Sequence, residues 1–155
     1  MDWFPLYNSI RIALIAVFIT FFLGIFFAYY IARLPRVLKG ILDCILTLPH
    51  VLPPTVIGFF ILKTIGVNGA VGKFLLEVWD TKLTMTWHAS IIAVIVVTFP
   101  LMYRTVRSSF EAFDKDLMYA GKTLGLSNTK IFWKILIPNC KDGILAGIVL
   151  SFARG

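Results

Sequence analysis

The feature that most constrains this chain is one apolar run, Ile10–Ile31 (IRIALIAVFITFFLGIFFAYYI), 22 residues whose only charge is Arg11 near its start. As a helix such a run is long enough to cross the roughly 30 Å hydrocarbon core of a bilayer. Arg11 sits where it can snorkel, and Tyr29 and Tyr30 mark the other interface as aromatic belts do. Gly24 is a candidate helix-contact position. Met1–Ser9 carries no basic residue and no small-residue cleavage site follows the run, so it reads as a retained span rather than a signal peptide. Composition agrees. Hydrophobic residues make up 59% of the chain and mean hydropathy is +0.87. Charged residues are 15%, well below the roughly 25% of a soluble domain.

Three further apolar segments follow. Span two is placed at about 41–62 and is interrupted by Pro49, Pro53 and Pro54, which remove backbone donors and predict a kink. Carbonyls freed inside a bilayer need partners on neighbouring helices or in a water-filled cavity, so this span is expected to face protein or a pathway. His50 lies within it, open to a structural, interfacial or pathway role. Asp43 is expected to pair with Arg36, Lys39 or another subunit. Lys63–Trp87 reads as a polar connector with a short interfacial helix over Lys73–Trp79. Span three is placed at about 88–106, kinked at Pro100 and closed by Arg104 and Arg107. A last apolar run, about 143–155, is 11 residues from Gly143 to Ala153 and reads as the start of a fourth span, which predicts a C-terminally truncated or partial domain over 1–155.

The net charge of +7 does not describe a nucleic-acid surface, because the basic residues lie in short loops beside apolar spans. Arg33, Arg36, Lys39, Arg104, Arg107, Lys115, Lys122, Lys130, Lys134 and Lys141 give ten on one side, against Lys63, Lys73 and Lys82, plus the borderline Arg11, on the other. That bias predicts an N-terminus outside and the interval 107–142 in the cytoplasm. Cys44 and Cys140 are 96 positions apart, form no metal-ligand pattern and read as small apolar fillers. No metal or cofactor is expected.

The most informative stretch is Asp114–Pro138 (DKDLMYAGKTLGLSNTKIFWKILIP). Asp114 and Asp116 open a helix, where acids suit the macrodipole. Leu117, Ala120 and Leu124 share one helical face. Gly125 ends that helix. Ser127 caps a second helix, in which Ile131, Phe132, Ile135 and Leu136 form one apolar stripe and Pro138 stops the run. Gly121-Lys122-Thr123 imitates the end of a phosphate-binding loop. That motif needs a glycine at position 116, which is Asp116, so no nucleotide site is expected.

The order helix, glycine, helix, proline resembles the cytoplasmic loop of ABC-importer permeases, which reads Glu-Ala-Ala, three residues, Gly, nine residues, Ile, one residue, Leu-Pro. In this register Tyr119-Ala120-Gly121 is followed by Gly125 and then by Ile135-Leu136-Ile137-Pro138. The departures are Tyr119 for Glu, Gly121 for Ala and Ile137 for Leu. Leu48–Phe60, Thr98–Asp114 and Gly143–Gly155 are similar to the molybdate-type permeases of that family, with sulfate permeases as close relatives.

The resemblance implies an all-α polytopic helical bundle of the type I ABC-importer permease kind, with three full spans and the start of a fourth. It also implies a non-catalytic subunit of an ATP-driven oxyanion importer in the inner membrane, most simply for molybdate. Its expected partners are separate ATPase subunits, an extracytoplasmic oxyanion-binding protein, a second copy of the permease and membrane lipid. Tyr119, Ala120, Gly121, Gly125, Ile135 and Pro138 would form the ATPase-docking loop, and Pro49, Pro53, Pro54 and Pro100 would shape the pathway. A sulfate or thiosulfate permease and an inactive remnant are the alternatives. A membrane-embedded enzyme is disfavoured, since Asp43, His50, His88 and Arg104 are too few and too scattered for a catalytic set.

Overall fold

The structure is a computed structural model and describes residues 3–66, 69 and 87–155. The expected connector and the helix proposed over Lys73–Trp79 fall almost wholly outside the described residues. Seven helices are described: α1 (Phe4–Ala32), α2 (Arg36–Val51), α3 (Pro54–Ile65), α4 (Trp87–Ala112), α5 (Lys115–Thr123), α6 (Asn128–Asn139) and α7 (Lys141–Arg154). Helices α1 and α4 are each long and apolar enough to cross a membrane. α1 begins at Phe4, six residues before the apolar run, and its 29 residues extend about 43 Å at 1.5 Å per residue. Arg11 lies over the Trp87 ring, 5.5 Å from its centroid, which puts the start of α4 level with the start of the apolar run, two turns into α1.

The core is a three-helix arrangement of α1, α4 and α7. Small residues make it possible. The buried positions of α1 are Ala13, Ala16, Val17, Thr20, Gly24, Ala28 and Ile31, a stripe at spacings of three and four. Such stripes let helix backbones approach where no hydrophobic driving force separates helix from lipid. Met102 of α4 is fully buried between two glycines. A methyl group on Gly24 would stand 2.8 Å from Met102 Cγ, and one on Gly147 would stand 2.7 Å from Met102 Sδ. Gly143 is closer still to α4, since a Cβ there would lie 2.6 Å from Ser109 Cβ. Gly24 is therefore the helix contact that its position in the span suggests. Thr20 satisfies its buried hydroxyl by donating to the Ala16 carbonyl at 2.9 Å.

The four prolines of the expected pathway set sit in different settings. Pro100, expected to kink span three, is buried within one continuous helix, which runs past Arg104 and Arg107 to Ala112. Pro49 is likewise carried inside α2. Pro53 and Pro54 replace the kink expected over 41–62 with a break. Leu52 and Pro53 are extended, and the chain turns by 107° between α2 and α3. Two adjacent prolines remove two successive donors, and Pro53 forces Leu52 out of the helical region.

Candidate docking site

The interval 114–139 is built from local signals. Asp114 caps α5 by accepting from the Asp116 amide at 2.9 Å. At the other end the Leu126 amide donates to the Gly121 carbonyl at 3.1 Å and the Gly125 amide to the Lys122 carbonyl at 3.0 Å. That pair of bonds is a Schellman motif, and it needs a left-handed residue. Gly125 supplies it with φ +75°. Ser127 then caps α6, accepting from the Lys130 amide at 3.4 Å. The helix–glycine–helix reading of the sequence is what the chain adopts.

Gly121 is the point where the two helices meet. It is buried, and a Cβ there would stand 2.9 Å from Ile135 Cδ1 and 3.3 Å from Ile131 Cγ1. Ile131, Phe132, Ile135 and Leu136 all turn inward, as their spacing predicts. Phe132 packs edge-on against Tyr29 of α1 at 4.5 Å, and Leu136 joins the core. The stripe Leu117, Ala120, Leu124 is instead turned outward, with Leu124 80% and Tyr119 61% exposed. Trp133 of α6 is also exposed, on the side that lines an apolar hollow with Phe22 and Phe26 of α1.

Pro138 does not stop the second helix. The helix widens to π geometry over Phe132–Leu136, continues to Asn139, and turns by 69° into α7. A proline at this position cannot donate to the Lys134 carbonyl, and its ring crowds that turn; the π stretch relieves the crowding by widening the preceding turns. Asn139 covers the end by donating from Nδ2 to the Ile135 carbonyl at 2.7 Å. Of the expected docking residues, the fold brings Gly121 and Ile135 into contact. Tyr119, Ala120, Gly125 and Pro138 are exposed. Cys140 is buried, its thiol 3.4 Å from the Ser109 carbonyl, whereas Cys44 is exposed and is not the apolar filler expected.

A chain of charged side chains ties α2 to α4 directly beside this interval. Arg107 is ion-paired with Asp43, and its Nε and Nη2 donate to Glu111 Oε1 at 3.3 and 3.2 Å. Lys39 pairs with Glu111, and the Tyr103 hydroxyl donates to Asp43. Asp43 thus takes its partner from α4, not from Arg36 or Lys39 on its own helix. The Lys39 hydrogen bond, ahead of the contribution from Arg107, holds Glu111 below its ordinary carboxylate value; partial burial works against them. Glu111 lies beyond the apolar stretch 88–106. No spacing rule could have found this cluster, because its two halves are some 60 residues apart in sequence.

The sequence matches the family described as binding-protein-dependent transport system inner membrane component over residues 7–155. The chain belongs to that family of multi-pass inner membrane transport components. Among curated relatives, the molybdenum transport system permease protein ModB of Escherichia coli (strain K12) is 35% identical over 153 residues, covering 99% of this chain and 67% of the relative. ModB of Haemophilus influenzae is 39% identical over 132 residues, covering 85% of this chain and 58% of the relative. The sulfate transport system permease protein CysT of Salmonella typhimurium is 31% identical over 148 residues, covering 93% and 53%. The chain spans about two thirds or less of the length of these relatives.

Proposed function

We propose that this chain is the permease subunit of an ATP-driven importer for an oxyanion, molybdate before sulfate. It would form the membrane pathway with a second copy of itself and receive its substrate from an extracytoplasmic binding protein. ATP hydrolysis belongs to separate subunits that dock on the 107–142 loop. The loop faces the cytoplasm and the N-terminus lies outside, as the distribution of basic residues favours.

The observation that carries this reading is the construction of the loop. Its inner face is fixed to α1 and α4 through Phe132, Leu136 and Cys140. Its outer face keeps Leu117, Tyr119 and Leu124 exposed. A two-helix element with a packed inner face and an uncovered apolar outer face can pass a displacement from a docked partner to the spans. It does so only if docking has a different free energy in the two states of the pathway. The higher identity to permeases whose names carry molybdenum places molybdate before sulfate.

The direct test is Gly125→Asp in a complex coexpressed with the candidate ATPase. An aspartate in the left-handed region strains the Schellman turn and adds charge at the docking face. Membrane insertion should persist while ATPase capture in a pull-down is lost. Capture at the wild-type level would remove the docking assignment. Uptake of labelled molybdate with sulfate as competitor separates the two oxyanions.

A further inference from the structure

Helix α4 carries two arginines one turn apart, and their surroundings differ. Arg107 is committed to Asp43, Glu111 and the Tyr103 hydroxyl. Arg104 is exposed and has no carboxylate or hydrogen-bond partner among the described residues. It lines a cavity of about 390 Å³ between α2 and α4, together with His50, Leu101, Thr105, Ser108 and Ser109. Among the described residues no acidic side chain lines this cavity.

The polar groups around it divide into committed and free. Thr105 donates its hydroxyl proton to the Leu101 carbonyl at 2.8 Å and Ser109 donates to the Thr105 carbonyl at 3.2 Å. The Ser108 hydroxyl has no such bond among the described residues. His50 Nδ1 is buried from solvent and has no hydrogen-bond partner among the described residues. The break after Val51 lies one residue beyond His50 and holds the imidazole at the end of α2, against α4.

We propose that His50, Arg104 and Ser108 form a contact station for a tetrahedral oxyanion. This rests on the reading of the chain as an oxyanion permease and names where on the path the anion is met. Arg104 supplies the charge, the Ser108 hydroxyl and the His50 imidazole supply donors, and the missing carboxylate removes the competitor that occupies Arg107. Charge-assisted donors of this kind suit a carboxylate, phosphate or metal oxyanion. The cavity is open, which fits transient contact rather than tight retention.

The test uses the full importer, permease with its ATPase subunits and binding protein, in proteoliposomes with labelled molybdate. Arg104→Gln should lower uptake about tenfold or more, the change expected when a charged donor to an anion is removed. Arg104→Lys should recover part of it. Ser108→Ala and His50→Gln should each lower uptake by about threefold to tenfold, the range for a neutral hydrogen bond. ATPase capture and ATP turnover without substrate should be unchanged in all four, which a merely structural defect would not allow. Wild-type uptake in Arg104→Gln, or equal losses in ATPase capture and uptake, overturns the station. A wild-type importer that carries neither molybdate nor sulfate overturns the oxyanion reading itself, and the station with it.

Discussion

Two parts of this molecule are held together by different means. The α1, α4 and α7 group closes by contact of small residues, with Met102 seated between Gly24 and Gly147 and with Gly143 against Ser109. Helix α2 has no buried residue at all. It rests Leu42 and Leu46 against the core and reaches α4 through Lys39 and Asp43, which meet Glu111, Arg107 and Tyr103. Its glycine, Gly40, has nothing among the described residues within 4 Å of where a Cβ would sit. Packing holds the first group, so volume should control it. In the second, ion pairs add to lighter packing, so protonation and charge should matter more there.

That contrast can be broken in a definite order. The largest effect is expected from Gly143→Val, where the new side chain meets Ser109 and helix backbones must part. We expect a loss of about 3 kcal/mol, the upper range for overpacking, read as a lowered melting temperature in detergent. Asp43→Asn should cost about 2 kcal/mol, since it removes a charged acceptor from Arg107. Its effect should fall on α2, seen as faster hydrogen exchange there with α1 and α7 unchanged. Exchange that rises equally in all three would merge the two parts into one. Gly40→Ala should stabilise by up to about 1 kcal/mol, because helix propensity is gained in open space. A destabilised Gly40→Ala would mean that α2 is covered by something at that point.

The smallest effect is expected with pH. Glu111 is held below its ordinary value of 4.5 by Lys39 and then Arg107. A depressed carboxylate contributes stability that is fully present above the ordinary value and is lost as pH falls through the lowered one. Melting measured from pH 6 downward should therefore fall more in the wild type than in Glu111→Gln, and only below about pH 4.5. Parallel curves would show that the Lys39–Glu111 pair contributes nothing.

Local signals were the legible ones. The caps at Asp114 and Ser127 and the left-handed Gly125 lie within a few residues of what they bond, so their spacing carries the geometry. The inward stripe on α6 was legible for the same reason. The outward turn of Leu117, Ala120 and Leu124 was not, because periodicity finds a face without saying what covers it. Gly24 alone was weak, but the stripe from Ala13 through Ala16, Thr20 and Ala28 was written in the sequence at helical spacing and would have strengthened it. The prolines were legible as perturbations and not as outcomes. One sits in a buried continuous helix, a pair breaks the chain, and one widens the turns before it. Neighbouring packing decides among these. The ion pairs of Asp43 depended on a helix some 60 residues further on, beyond the reach of any pattern in span two.

The pairing of Asp43 has a consequence for how the protein is made. When α2 leaves the ribosome and meets the membrane, neither Tyr103 nor Arg107 has yet been synthesised. Asp43 then has no partner from α4, and an unpaired carboxylate inside a spanning segment, even close to its end, disfavours full insertion. The second segment is thus poised to wait near the interface and to settle only after α4 has arrived. Its final seat is fixed by a later part of the same chain, and the order of synthesis becomes part of the folding pathway.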